Sequence, residues 1–391
     1  MSTVQALMKE YESRLVALRR DLHMHPELGF KEHRTTEKIK ATLAEFGVTV
    51  LDLGLETGVV AMIEGSGDGP TVALRGDIDA LPIQEENEVP YKSTINGVMH
   101  ACGHDVHTTS LLGAGIMLAR MRDHFRGRVK LFFQPAEEIN EGARRLIDHG
   151  AMQDPKVEAV FGLHTSPAIE VGQVGVKSGG LMAAVDTVRI TVKGLGGHGA
   201  IPHATVDPVV ASCAMVTNLQ SIVSRNIDPL DSVVVTIGTI NAGIANNVIP
   251  EQVSLTGTAR SFEPSVREQL RELLRRVVNN SVAAYGATAE VEYIYHLPAV
   301  YNDSALREVA ATVVTEVCGE DGIVEPKPTM GGEDFALYMQ EAPGFFYWLG
   351  TGNKEKGFVH QWHNPRYDTD EGALPIGSAV LALSALKFLA K

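Results

Sequence analysis

The sequence predicts an α/β protein: a sheet domain interrupted by a smaller ferredoxin-like α+β domain. Three observations carry that expectation. Short apolar runs alternate with helix-period segments through the first half. From about Val185 the rhythm changes to strand, helix, strand, strand, helix, strand. His, Cys, Asp and Glu residues crowd just after the strand candidates of the first half, which is where open α/β sheets bind their ligands.

Taken in order, residues 59–64 and 71–75 read as strands, 108–121 as a helix, 128–134 as a strand, 141–150 as a helix and 159–164 as a strand. The second rhythm follows as strand 187–193, helix 207–224, strands 232–241 and 252–261, helix 265–285 and strand 287–295. Beyond Pro298 come helices, a Gly-rich segment at 330–335, an apolar strand at 345–349 and a His-containing stretch at 358–368. That segment carries more site-type residues and is expected to rejoin the first domain. The domains expected are thus 1–184 and 297–391 as two parts of a catalytic domain, with 185–296 inserted between them. A chain of 391 residues exceeds what one hydrophobic core usually organises.

Apolar residues make up 44% and charged residues 21%, as in ordinary globular proteins. The formal charge of -14 repels nucleic acid and anionic membrane surfaces, whose partners need clustered Lys and Arg. No stretch approaches the roughly 20 apolar residues that a membrane helix requires. Residues 1–20 mix acids and bases at helical spacing and lack the apolar run of a signal peptide. The three cysteines, Cys102, Cys213 and Cys318, are odd in number and far apart, which suits a reducing compartment. A cytoplasmic protein with no nucleic-acid or membrane partner is the expectation.

The strongest local signal is His100-Ala101-Cys102-Gly103-His104-Asp105-Val106-His107. A thiol and an imidazole stand two positions apart across a Gly that lets the backbone turn tightly, and such a pair can grip a metal ion. Gln134-Pro135-Ala136-Glu137-Glu138 follows a strand. Adjacent side chains of extended chain point in opposite directions, so one carboxylate can bind metal while its neighbour faces the substrate. His164 ends an apolar strand, and His363 lies in His360-Gln361-Trp362-His363-Asn364-Pro365. Cys102, His104, Glu138, His164 and His363 together offer two first-row metals a set of N, O and S donors with one bridging ligand.

The chain resembles the amidohydrolase branch, with its hippurate and auxin-conjugate hydrolases, of the aminoacylase and carboxypeptidase G superfamily. The matching pieces are Asp21-Leu22-His23-Met24-His25-Pro26-Glu27-Leu28, Arg75-Gly76-Asp77-Ile78-Asp79-Ala80-Leu81-Pro82, the runs 100–107 and 134–138, Gly196-Gly197-His198-Gly199-Ala200-Ile201-Pro202-His203, Asn247-Val248-Ile249-Pro250 and Gly331-Gly332-Glu333-Asp334-Phe335. They span essentially the whole chain.

The resemblance implies that Cys102 bridges two divalent ions (Zn, Mn, Co or Ni), that His104 and His164 complete one site, and that Glu138 and His363 complete the other. Glu137 is then the general base, and His198 is an oxyanion donor sent across a homodimer interface by an inserted lid and dimerisation domain. Asn247, Arg260 and His203 become substrate contacts. Arg260 suits a carboxylate through its planar fork of donors. Arg75 stands where relatives outside this branch have a metal-binding His, so Asp77 is expected behind the ligands, with Glu333 and Asp334 as supporting acids. The implied reaction is hydrolysis of an N-acyl amino acid, a small molecule with a free carboxylate. A dipeptidase or carboxypeptidase is the alternative within the superfamily, and a non-catalytic metal-binding protein, disfavoured by the presence of Glu137, is the alternative outside it.

Overall fold

Strands rich in β-branched and aromatic residues, apolar on both faces, must be covered on both sides, and they build the centre of the first sheet. The structure, a computed structural model, describes residues 3–390. Its chain divides into two compact units, one made of Met1–Gly179, Tyr301–Lys327 and Asp334–Lys391, the other of Gly180–Val300 and Pro328–Glu333.

The first unit begins with helices α1 (Thr3–Met24) and α2 (His33–Glu45), then strands β1 (Thr49–Leu51), β2 (Val59–Glu64) and β3 (Thr71–Asp77). Helix α3 (His104–Arg120), strand β4 (Arg128–Gln134), helix α4 (Gly142–Asp148) and strand β5 (Ala159–Glu170) follow. Eight strands form one mixed sheet, in the order β1, β2, β4, β3, β5, Gly344–Gly352, Val174–Gly175 and Ile323–Val324. The pairs β4/β3, β3/β5 and β5 with Gly344–Gly352 are parallel, so their carboxyl ends share one edge. A strand from the last third of the chain therefore lies beside β5, with Trp348 paired to His164.

Alternation along β4 splits its side chains between two layers. Val129, Leu131 and Phe133 join a core with Leu15, Leu111, Phe161 and Val380 beneath α1, α3 and the helix Ala373–Leu389. Phe132 faces the other way, its ring 5.5 Å from that of Tyr338, and Phe346 stacks 4.6 Å from Phe335 in the same layer. Arg19, fully buried on α1, donates to Asp105 (2.7 Å) at the start of α3 and to Asp368 (2.8 Å) near the end of the chain. Losing one member of such a buried set costs about 3–5 kcal/mol, because the other charges are left unpaired. The network thus clamps both chain ends against the helix that opens into the site.

In the second unit the strands Val233–Ala242, Gln252–Ser261, Ala184–Lys193 and Thr288–Leu297 lie in that order, all antiparallel. Helices Pro208–Arg225 and Pro264–Ala283 cover one face, burying Met215, Leu219, Leu270 and Leu274 on Val188, Ile190 and Val192. Asp207 starts the first helix by accepting from the amides of Val209 (2.8 Å) and Val210 (3.2 Å), ahead of a Pro in the first turn. This is the ferredoxin-like order read from the sequence. The unit's bounds differ from 185–296. Pro328–Glu333 belongs to it because Thr329 exchanges backbone hydrogen bonds with Leu181 (3.0 Å) and Ala183 (3.1 Å). No helix among the described residues is long and apolar enough to cross a membrane.

Candidate active site

Backbone geometry at three places aims the site residues of the first unit. The first is Gly103, in the left-handed region at φ 89°. A Cβ there would stand 2.6 Å from Thr165 Oγ1 and 2.8 Å from Tyr367 OH, so only Gly fits. The turn places Cys102 just ahead of α3 and makes His104 its first residue; the helix starts earlier than the 108 expected. The second is Ala136, at φ 55°, between the end of β4 and the pair Glu137-Glu138. The third is His363, at φ 63°, whose amide donates to Ala101 O (2.8 Å).

Donor atoms of Cys102, His104 and His164 lie within 4.8 Å of one another, and so do those of Cys102, Glu138 and His363. Cys102 belongs to both groups. Its Sγ is 3.5 Å from His164 Nε2, Glu138 Oε1 is 3.8 Å from His104 Nε2, and Glu138 Oε2 is 3.6 Å from His363 Nε2. Two of these atoms, His104 Nε2 and Glu138 Oε1, are buried without a hydrogen-bond partner. A buried lone pair with no donor is costly unless something else occupies it, and N, S and O donors facing one point fit a borderline-soft divalent cation.

Hydrogen bonds fix which imidazole nitrogens point inward. His104 Nδ1 faces Asp79 Oδ1 (3.1 Å) and His164 Nδ1 faces Thr165 O (2.8 Å), leaving each Nε2 toward the cluster. His107, in the same sequence run, has both nitrogens engaged. Its Nδ1 meets Asp77 Oδ1 (2.6 Å), and its Nε2 accepts the Thr165 amide (2.8 Å). It therefore holds the backbone beside His164. Trp362 donates from Nε1 to Thr165 O (3.1 Å) and stacks on Trp348 at 5.3 Å, so an aromatic wall flanks the His164 ring.

Arg75 is wholly buried and donates to Gln134 Oε1 (2.9 Å), Asp77 Oδ2 (2.7 Å) and Asp334 Oδ1 (2.9 Å). Burial opposes the Asp77 charge, but Arg75, His104 and His107 outweigh it and hold the carboxyl well below the usual range. At the donor cluster the balance runs the other way. Burial, then Glu138, push the Cys102 thiol up, and burial pushes Glu138 up to about 7. A cation between them favours the ionised thiolate and carboxylate and relieves both. Glu137 is buried beside the cluster, its Oε2 4.0 Å from His104 Nε2.

His198, Asn247, His203 and Arg260 lie in the second unit. His198 sits in a two-residue strand paired with Val248, and the Gly199 amide donates to Asn247 O (2.8 Å), so His198 and Asn247 are neighbours. The Ala200 amide donates to His198 Nδ1 (3.0 Å), leaving Nε2 at an exposed position. His203 is exposed in the turn Pro202–Ala204. Arg260, half-buried on Gln252–Ser261, donates to Thr258 Oγ1 and Ala259 O.

Sequence reasoning gave no role to Asp79, His107 or Thr165. Asp79 had a signal: along extended chain it shares a side with Asp77, two positions back. His107 stood in the run 100–107 but nothing there marked its role, and Thr165 had no signal, because only the fold brings their helix and strand together.

Lone pairs of sulfur, nitrogen and oxygen converging beside a further buried carboxylate are suited to driving water onto a polarised carbonyl, and with this fold they define a metal-dependent hydrolase of amide bonds. Residues 73–387 match peptidase family M20/M25/M40, and the chain belongs to that family. It is 44% identical to an N-acetylcysteine deacetylase of Bacillus subtilis, over 97% of this chain and 99% of the relative. It is 39% identical to IAA-amino acid hydrolase ILR1-like 5 of Arabidopsis thaliana, over 96% of this chain and 86% of that one. Among solved structures, a dinuclear metal-binding peptidase of family M20 from Bacillus subtilis superposes with a TM-score of 0.89 at 40% identity, covering 98% of this chain and 99% of the other.

Proposed function

We propose that this enzyme hydrolyses the amide bond of N-acyl amino acids, hippurate-like conjugates among them, and that two divalent ions (Zn, Mn, Co or Ni) occupy the cluster. The observation that carries the reading is the pair of donor groups sharing Cys102, with His104 Nε2 and Glu138 Oε1 buried and unpartnered. His104 and His164 would complete one ion's ligands, Glu138 and His363 the other's. When bound, the ions acidify water and polarise the carbonyl. Glu137 takes the proton of the attacking water and hands it to the departing nitrogen. Asp79 and the Thr165 carbonyl keep the two inward Nε2 atoms turned to the cluster. The deacetylase and conjugate-hydrolase names of two relatives support an acyl group on one side of the scissile bond and an amino acid on the other.

Metal-stripped protein reloaded with each ion and offered N-acetyl, N-benzoyl and indole-acyl amino acids beside unblocked dipeptides tests this. Cleavage of the N-acyl series is expected; faster cleavage of the dipeptides would assign the enzyme to the dipeptidase or carboxypeptidase reading.

On the same reading Arg260, Asn247 and His203 receive the substrate, with Arg260 on its free carboxylate, and His198 offers its exposed imidazole to the oxyanion in the partner's site of a homodimer working in the cytoplasm. Mixing inactive Glu137→Gln with inactive His198→Ala subunits is then expected to regenerate activity, since one site of the mixed dimer has a base and a donor. Well-exchanged mixtures that stay inactive would place His198 in its own subunit's chemistry or outside the reaction.

A further inference from the structure

The proposed base sits where the backbone needs outside help. Ala136 adopts a left-handed conformation that residues with a Cβ rarely take, and such strain persists only when the surroundings over-determine it. The backbone groups that hold it are specific. Glu32 Oε1 accepts the Ala136 amide (2.9 Å), and Asp79 Oδ2 accepts the Glu138 amide (3.0 Å), so a carboxylate grips the chain on either side of Glu137. The Ala136 carbonyl accepts from Glu141 (3.3 Å) and Gly142 (3.2 Å), and the Glu137 carbonyl accepts from Asn140 (2.7 Å). Gly29 lies flat on this turn, where a Cβ would stand 3.1 Å from Ala136 Cα, 3.2 Å from its Cβ and 3.6 Å from Asp79 Oδ2.

Glu32 is wholly buried at the residue before α2, yet it makes no side-chain bond to the open amides of that helix. Glu27 caps α2 instead, through the amides of Arg34 (3.0 Å) and Thr35 (2.8 Å). Burying a carboxyl is costly, and burial pushes this one up to about 7 although the Ala136 amide and Thr57 hydrogen-bond to it. The carboxyl that could have capped its own helix reaches across to the strained residue next to the base.

We propose that Glu32 is a positioning residue for Glu137: by holding the Ala136 amide it fixes the turn that aims the Glu137 carboxylate at its water. The proposal rests on Glu137 being the general base. It predicts an effect on turnover rather than on substrate or metal binding, because a misaimed base loses rate while the site around it stays intact.

The test compares Glu32→Ala, Glu32→Gln, Gly29→Ala and Glu27→Ala as full-length enzymes loaded with metal, reading kcat and KM separately, metal content by elemental analysis, and amide hydrogen exchange at Ala136. Glu32→Ala is expected to keep its metal and KM, to lose about 10- to 100-fold in kcat, and to exchange the Ala136 amide faster. Glu32→Gln should restore most of both, since its amide oxygen accepts the same bond. Gly29→Ala, which presses on Ala136 without removing a polar group, should lower kcat as well, and it keeps the test open if Glu32→Ala fails to fold. Glu27→Ala should weaken α2 but leave kcat per folded enzyme unchanged. Wild-type kcat in metal-loaded Glu32→Ala overturns the proposal, as does a loss of kcat in Glu27→Ala equal to that in Glu32→Ala. Glu137→Gln alongside separates the two readings: if it stays active, the base assignment falls and this proposal with it, whereas if it is inactive and Glu32→Ala is unimpaired, only the positioning role is lost.

Discussion

Glu137→Gln should yield an enzyme that holds its ions and hydrolyses almost nothing, with kcat lower by roughly 10²- to 10⁴-fold. The substitution keeps size and shape and removes only the ability to take a proton. Glu137 stands next to the candidate ligand Glu138, on a turn anchored at Ala136 and Asn140, so an isosteric change should not disturb the donor cluster. Stopped assays with N-acetyl and N-benzoyl amino acids, beside elemental analysis, would read both halves of this expectation. Turnover near that of the unaltered enzyme would remove Glu137 from proton transfer. Loss of metal together with activity would instead make it a ligand.

Cys102→Ala should fail in the opposite order, losing metal first and activity as a consequence. Cys102 is the member common to both donor groups, and removing it leaves His104 and His164 on one side and Glu138 and His363 on the other without a shared atom. Affinity should fall by more than the roughly 10- to 100-fold lost when a mere outer partner of a ligand is removed. Titration with a chromophoric chelator measures this directly. Two ions bound as tightly as before would reduce Cys102 to a small buried side chain.

Much of this was readable from the chain alone. Strands 59–64, 128–134 and 252–261 coincide with the elements observed, because β-branched and aromatic runs with clear breaks on both sides leave little ambiguity. The start of α3 was less legible. A run of His, Cys and Asp carries no apolar periodicity, so the helix appeared to begin at 108, while Gly103 sets its first residue at His104. The residues whose donor atoms lie close together could be singled out because their motifs are compact. The partners that orient them could not: nothing local tells that His107 spends both nitrogens on Asp77 and Thr165, or that Glu32 reaches Ala136. Those pairings depend on which strands become neighbours, and Arg75, buried among Gln134, Asp77 and Asp334, belongs to the same class.

The strand Gly344–Gly352 lies beside β5, and the segment after it carries His363 to within reach of Cys102 and Glu138. An ion gripped by Cys102 and His363 therefore joins two points separated by most of the polypeptide, much as a disulfide closes a long loop. Such a tether acts largely on the unfolded chain, by denying it the freedom of separated ends. Unlike a disulfide it is reversible without redox chemistry, and its strength follows free metal concentration, each occupied site adding stability in proportion to the logarithm of that concentration over its dissociation constant. With ions held by these residues, their supply would set the stability of the folded chain as well as its turnover.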